Sequence, residues 1–166
     1  MAMGPDIHSH EWFMKQALKE AEKARKKDEA PIGAVIVHND VIIARGHNER
    51  ELRQDPTLHA EMTAVRKASR KLGTWRLNEC DIYVTLEPCA MCAGALVQTR
   101  IRRLFIGARD PKAGAAGSVI DIPGVDKFNH HIEVIYGILE DQCSQILKDF
   151  FRELRERKKQ EQQVDQ

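Results

Sequence analysis

The chain has 166 residues, 42% of them hydrophobic and 31% charged, with a formal net charge of +1. That length is expected to form a single domain with a sizeable core, and no run is apolar enough or long enough to span a bilayer. Many nucleic-acid binders carry a larger positive excess, so any case for RNA must rest on local clusters.

The opening Met1-Ala-Met-Gly-Pro-Asp-Ile-His has no basic n-region and no apolar h-region, so a signal peptide is not expected. A cytoplasmic protein with reduced thiols follows as the expectation, and residues 1–8 are expected to be flexible. His10 to Lys27 predicts an amphipathic helix with Trp12, Phe13, Leu18, Ala21 and Ala24 as its apolar stripe. Pro31 and Gly33 mark entry to a strand, Ala34 to Val37. Asn39-Asp40 is a hairpin turn into a second strand, Val41 to Ala44. Glu49 to Leu58 reads as a polar loop. A helix follows to about Leu72, with Met62, Val65 and Leu72 as its expected core face, and Gly73 stops it.

Asp81 to Leu86 is strand-like, and a second short helix runs from the cysteines to about Gln98. Arg103 to Gly107 is the next strand. It follows a helix, so parallel pairing with Asp81–Leu86 is expected. A long Gly/Ala loop from Ala108 to about His131 precedes a fifth strand, Ile132 to Tyr136; a loop of that length in a compact domain is usually functional. Glu140 to about Lys158 predicts a last helix with Ile146, Leu147, Phe150, Phe151 and Leu154 as its apolar set. Residues 160–166 are expected to be a flexible tail. The order is α-β-β-α-β-α-β-β-α, a mixed sheet layered between helices.

Two stretches carry chemistry: His59-Ala60-Glu61 and Pro88-Cys89-Ala90-Met91-Cys92. Together they spell H-x-E followed by P-C-x-x-C, the known signature of zinc nucleobase deaminases. A catalytic zinc takes three protein ligands and leaves a position for water. One imidazole and two thiolates supply that set: His59, Cys89 and Cys92. Zinc lowers the pKa of its water to roughly 7, and a carboxylate beside it can carry the proton to the departing amine. Glu61 is the candidate for that shuttle. Cys89 and Cys92 are three apart and share a helix face. Pro88 suits a helix start, and the positive helix end favours thiolates. His59 and Glu61 are two apart, so they converge only if their helix begins at about His59. Taken alone, C-x-x-C is equally a structural zinc knuckle or redox pair, and H-x-E is common by chance. The pairing of the two motifs favours catalysis. Cys80 and Cys143 read as buried free thiols.

Beyond the zinc motif, the chain resembles the bacterial tRNA-specific adenosine deaminases, the TadA family of the cytidine/deoxycytidylate deaminase superfamily. The resemblance runs from about Trp12 to Arg155. Its carriers are Pro31-Ile-Gly-Ala-Val-Ile-Val, Asp55-Pro-Thr-Leu-His-Ala-Glu and Tyr83-Val-Thr-Leu-Glu-Pro-Cys-Ala-Met-Cys-Ala-Gly-Ala. More specific are Phe105-Ile-Gly-Ala-Arg-Asp-Pro-Lys, Gly114-Ala-Ala-Gly-Ser, Phe128-Asn-His and Phe150-Phe-Arg-Glu-Leu-Arg. The resemblance implies a cytidine-deaminase-like three-layer α/β/α fold with a mixed five-stranded sheet. It also implies a homodimer with one Zn2+ per subunit, and hydrolysis of adenosine to inosine at the wobble position of an arginine tRNA anticodon stem-loop. Carried over by position, it implies that His59, Cys89 and Cys92 bind zinc and that Glu61 shuttles protons. Asn48 would hydrogen-bond the adenine, and the backbone at Ala60 and Cys89 would help hold it. Asp110 and Lys112 would contact the anticodon loop, with Phe151, Arg152 and Arg155 bordering the same groove.

Read without the resemblance, these added residues keep plainer alternatives. Asn48 is also an ordinary residue after a strand, and Asp110-Pro111 is also turn chemistry. The basic run at Arg152, Arg155, Arg157, Lys158 and Lys159 is interrupted by Glu153 and Glu156, as on a solvated helix face. Phe150 reads as core, and His130 and His131 as hydrogen-bonding or surface groups. A guanine or other small-base deaminase of the same fold is the competing enzyme. An inactive zinc-containing RNA-binding subunit is the non-enzymatic alternative, against which the retained Glu61 counts.

Overall fold

The computed structural model describes residues 8–165. The flexibility expected of residues 1–8 therefore falls, apart from His8, outside the described residues. Five strands form one sheet in the order β2-β1-β3-β4-β5. β1 (Gly33–His38) and β2 (Val41–His47) make the antiparallel hairpin. Its two-residue turn places Asn39 at φ 49° and Asp40 at φ 61°, left-handed positions that Asn and Asp tolerate well. β1 runs antiparallel to β3 (Cys80–Leu86), while β4 (Arg103–Ala108) and β5 (Glu133–Ile135) run parallel to it. The sheet is mixed, as the fold expectation required.

Alternation along the central strands divides the core in two. Ala34, Ile36, Ile82, Val84, Leu104 and Ile106 face one side, and α3 (Ala60–Leu72) and α4 (Ala90–Gln98) cover them. Val35, Val37, Tyr83 and Phe105 face the other side, under α1 (His10–Lys26) and α5 (Glu140–Val164). The result is a three-layer α/β/α arrangement. Glycines permit the closest helix contacts. A Cβ on Gly33 would lie 2.0 Å from the Ala17 carbonyl oxygen of α1, and one on Gly46 would lie 2.3 Å from the Ala60 carbonyl oxygen of α3.

Several details differ from expectation. The segment expected to be a polar loop contains a one-turn helix, α2 (Arg50–Arg53). In α1 the buried stripe is Phe13, Met14, Ala17, Ala21 and Ala24, whereas Trp12 is 36% exposed. Ala17 lies directly against Gly33, a contact only the fold reveals. α3 buries Ala60, Ala64 and Ala68 most deeply; of the expected face, Val65 packs partly buried against the same core, whereas Met62 lies outside it and Leu72 is exposed. Close approach to Gly46 demands small side chains there, so the alanine stripe takes the core and the larger residues flank it. Cys143, Ile146 and Phe150 are the buried face of α5, and Phe151 is exposed. α5 also continues to Val164, past both the expected end near Lys158 and the start of the expected tail. Cys80 and Cys143 are buried free thiols, as expected.

Candidate active site

α3 begins at Ala60, so His59 is its N-cap with extended backbone (φ −77°, ψ 156°) and Glu61 lies in its first turn. That placement resolves the spacing problem: the imidazole leaves from outside the helix and the carboxylate from within it, and they face one cavity. Cys89 occupies the same N-cap position on α4, with φ −74° and ψ 177°, and Cys92 sits in the first turn. Both helices thus aim their positive ends at the same point.

His59 Nδ1 lies 3.5 Å from Cys89 Sγ and 3.5 Å from Cys92 Sγ. Tetrahedral zinc with bonds of roughly 2.05 Å to nitrogen and 2.3 Å to sulfur places those atoms about 3.6 Å apart. The donor set therefore fits zinc in both chemistry and spacing. Among the described residues it is the one group of three or more such side chains suited to a metal ion. The Cys89 thiol is pulled down to about 3, first by its hydrogen bond with Cys92 and then by that with His59, against the effect of burial. The partner thiol of Cys92 is pushed up by the same bond and by burial. The hydrogen bond to Cys89 raises His59. Glu61 is only 4% exposed. Burial pushes its carboxyl above the usual range, so a proton is more readily held there.

His59, Glu61 and Cys89 line a cavity of about 230 Å³ together with Asn48, Asp110 and Phe151. Ala60 is also in its wall. Asn48 is 5% exposed, and its orientation is set from both ends. Its Nδ2 donates to the Ala30 carbonyl at 3.4 Å, and its Oδ1 accepts from the Arg50 N–H at 3.2 Å. An Asn amide has two donor hydrogens and two acceptor lone pairs, so one of each remains for a ligand. Behind Asn48, His47 Nδ1 lies 3.1 Å from the buried Glu20 carboxylate.

The cavity opens into a wider groove of about 760 Å³ that shares Asp110 and Phe151 and adds Lys112 and Arg155. Asp110 also has the turn role anticipated for it, since its Oδ1 accepts from the N–H groups of Lys112 and Ala113 at 3.0 and 3.1 Å. Arg152 lines neither space and instead pairs with Asp149 at 3.2 Å. Of the positions implied by the resemblance, it is the one the structure does not bring to the site. Phe150 is core and His130 hydrogen-bonds the Ile101 carbonyl, as the sequence reading had them.

Two charged wall residues are not singled out by the sequence reading. Arg50, on α2, gave no signal in a stretch read as loop. Glu87 did give one: a carboxylate at the end of an apolar strand, directly before Pro88. It is 2% exposed and lies in the cavity wall.

With this geometry in place, similarity to known proteins becomes specific. Residues 8–155 match the MafB19-like deaminase family. The chain is 52% identical, over 149 residues, to a tRNA-specific adenosine deaminase of Bacillus subtilis (strain 168), covering 90% of this chain and 92% of that protein. A structure from studies of A-to-I editing by tRNA:A34 deaminases superposes with a TM-score of 0.79 at 45% identity, covering 82% of this chain and 99% of the other. The guanine deaminase of Nitrosomonas europaea shares the fold at a TM-score of 0.74, with 25% identity over 89% of this chain and 87% of its own. The His59–Cys89–Cys92 cluster, the buried Glu61 and these similarities agree: the chain belongs to the deaminase family, among the tRNA-specific adenosine deaminases.

Proposed function

We propose that this protein is a zinc-dependent hydrolase acting as one deaminase domain. It converts adenosine to inosine at the wobble position of a tRNA anticodon stem-loop, with arginine tRNA as the substrate. The observation that carries the chemistry is the imidazole and two thiols at zinc-ligand spacing beside one buried carboxylate. Substrate choice is supported by relatives named for tRNA-specific adenosine deamination at 45% and 52% identity, against 25% and 34% for guanine deaminases.

His59, Cys89 and Cys92 would hold one zinc per subunit, which when bound supplies Lewis-acid activation of water at neutral pH. Glu61 takes one proton from water and delivers it to the ring nitrogen, then takes the second from the hydroxyl added at C6 and delivers it to the amine, which leaves as ammonia. Asn48 offers its remaining donor and acceptor to the adenine edge, and the first-turn N–H groups at Ala60, free of intrahelical partners, help hold the base. The backbone at Cys89 closes the other side. The cavity of about 230 Å³ is below the roughly 300–1,000 Å³ of drug-sized pockets. It therefore takes an extruded base, while ribose and phosphate occupy the wider groove at Asp110, Lys112, Phe151 and Arg155. Anticodon-loop bases are accessible without opening a duplex. The Asp110 carboxylate can accept from a ribose 2′-OH. No helix of the described residues is long and apolar enough to cross a membrane, and a cytoplasmic homodimer is the proposed working form.

Glu61→Ala tests the mechanism. Loss of a positioned acid–base group costs about 10²–10⁴-fold in turnover, with zinc content and fold retained. Turnover that survives in the zinc-loaded variant would remove Glu61 from the mechanism.

A further inference from the structure

Glu87 lies two residues before the metal ligand Cys89 in the chain, and its side chain bonds to the loop that borders the groove. It directly precedes Pro88-Cys89, and its carboxylate accepts four hydrogen bonds, every one from the loop between residues 110 and 118. Oε1 accepts from the Asp110 N–H at 3.2 Å and from the Ser118 hydroxyl. Oε2 accepts from the Ala116 N–H at 3.1 Å and the Ser118 N–H at 3.1 Å. Among the described residues Glu87 makes no ion pair. A buried carboxylate without a counter-ion persists only where hydrogen bonds replace its hydration. An apolar side chain in its place would leave three loop N–H groups without this partner, that of Ala116 in the buried interior.

The surroundings are built to this contact. A Cβ on Gly114 would lie 2.3 Å from Glu87 Oε2, so the loop approaches closely only with glycine there. The Ala115 N–H donates to the Pro88 carbonyl at 2.8 Å, a second tie to the same strand end. The loop so held carries Asp110 and Ala113 in the cavity wall and Lys112 in the adjoining groove.

The geometry points to Glu87 as a positioning residue for substrate recognition: it sets the loop bearing Asp110 and Lys112 in register with the metal ligand Cys89. The inference rests on the proposed action on RNA. It separates binding from chemistry, because Glu87 holds the wall that meets the RNA while Glu61 and the three metal ligands lie on other elements. Glu87→Gln keeps the shape, but its NH2 group faces N–H donors and breaks the contacts on one oxygen.

The test measures kcat and KM of the zinc-loaded protein on an anticodon stem-loop with adenosine at the wobble position. Zinc content and amide exchange at Ala116 and Ser118 are measured alongside. Glu87→Gln is expected to raise KM about tenfold, with zinc retained, kcat changed far less, and both amides exchanging faster. An unchanged KM with only lowered thermal stability would reduce Glu87 to a structural group and overturn the inference. Lost zinc with an unchanged KM would do the same, by placing its effect on Cys89. If Glu87→Gln does not fold, Ser118→Ala, which removes one of the four bonds, decides by the same split. If the unmodified protein ignores the stem-loop, the proposed function fails instead, and unchanged amide exchange in Glu87→Gln separately refutes the anchoring.

Discussion

Gly46 is the position where the fold most directly controls the chemistry. It lies on β2 two residues before Asn48, and it packs against the first turn of the helix that begins after His59. In Gly46→Ala the new Cβ would lie 2.3 Å from the Ala60 carbonyl oxygen and 2.9 Å from the Ala64 nitrogen. Both atoms are backbone and cannot rotate away. Ordinary contact starts near 3.4 Å, so the start of α3 must retreat from the sheet by about 1 Å. Overpacking of this kind costs about 1–3 kcal/mol, which for a chain of this size lowers Tm by about 2–12 °C. The retreating turn carries His59 and Glu61, while Cys89 and Cys92 sit on α4 and do not move with it. Misplacing reacting groups by about 1 Å costs on the order of 10²-fold in rate. Turnover on the stem-loop, measured well below Tm, should fall by that order. A variant that loses the expected stability but keeps full turnover would show that α3 does not transmit the displacement. A variant unchanged in both would refute the contact itself.

Three further outcomes follow from named contacts. Glu20 is 3% exposed, and its carboxyl is lowered from 4.5 to about 2. Burial opposes that shift, and hydrogen bonds from His47 and Lys23 outweigh it. Its contribution to stability, at most about 3 kcal/mol, is present above pH 4.5 and is lost as pH falls toward 2. Glu20→Gln should therefore be less stable than the parent at pH 6, with the gap narrowing on acidification in denaturant titrations; a gap independent of pH contradicts the assignment. Arg155→Ala should weaken stem-loop binding and reduce its salt dependence, whereas Arg152→Ala, paired with Asp149 away from the groove, should change both much less. Equal effects would contradict the placement. Cys92→Ser should abolish stoichiometric zinc binding and turnover together, read by metal analysis, because a hydroxyl is a poor substitute for thiolate.

How much of this was legible in the sequence depends on the range of the interaction involved. The His59–Cys89–Cys92 cluster and the buried Glu61 are readable because zinc chemistry demands particular residue types at fixed spacing, and the need for the helix to begin at His59 follows from local geometry. The β1–β2 hairpin follows from the Asn39-Asp40 turn and the parallel pairing of β3 with β4 from the helix between them, whereas the antiparallel placement of β1 beside β3 has no local signal. The core face of α3 was readable only in part. Val65 packs against the core as expected, but Met62 is larger and more apolar than Ala64 and Ala68, and only the approach to Gly46 selects the alanines for the deepest positions. Trp12 was misplaced for a related reason: α1 rests its small Ala17 on Gly33, and the indole is left at the edge. Arg152 is assigned to the groove by the resemblance alone, and the structure pairs it with Asp149 instead. Glu87 gives a local sign, a carboxylate closing an apolar strand, but its role is not legible because its three partner residues lie more than twenty positions further along.

The central claim is that this pocket deaminates a wobble adenosine presented in RNA. It is tested most directly by offering the zinc-loaded protein an arginine-tRNA anticodon stem-loop beside free adenosine, cytidine and guanine at matched concentrations. Inosine in the stem-loop, with little ammonia from the free compounds, is the predicted result. Ammonia from guanine with the stem-loop untouched would leave the metal chemistry standing and contradict the assigned substrate.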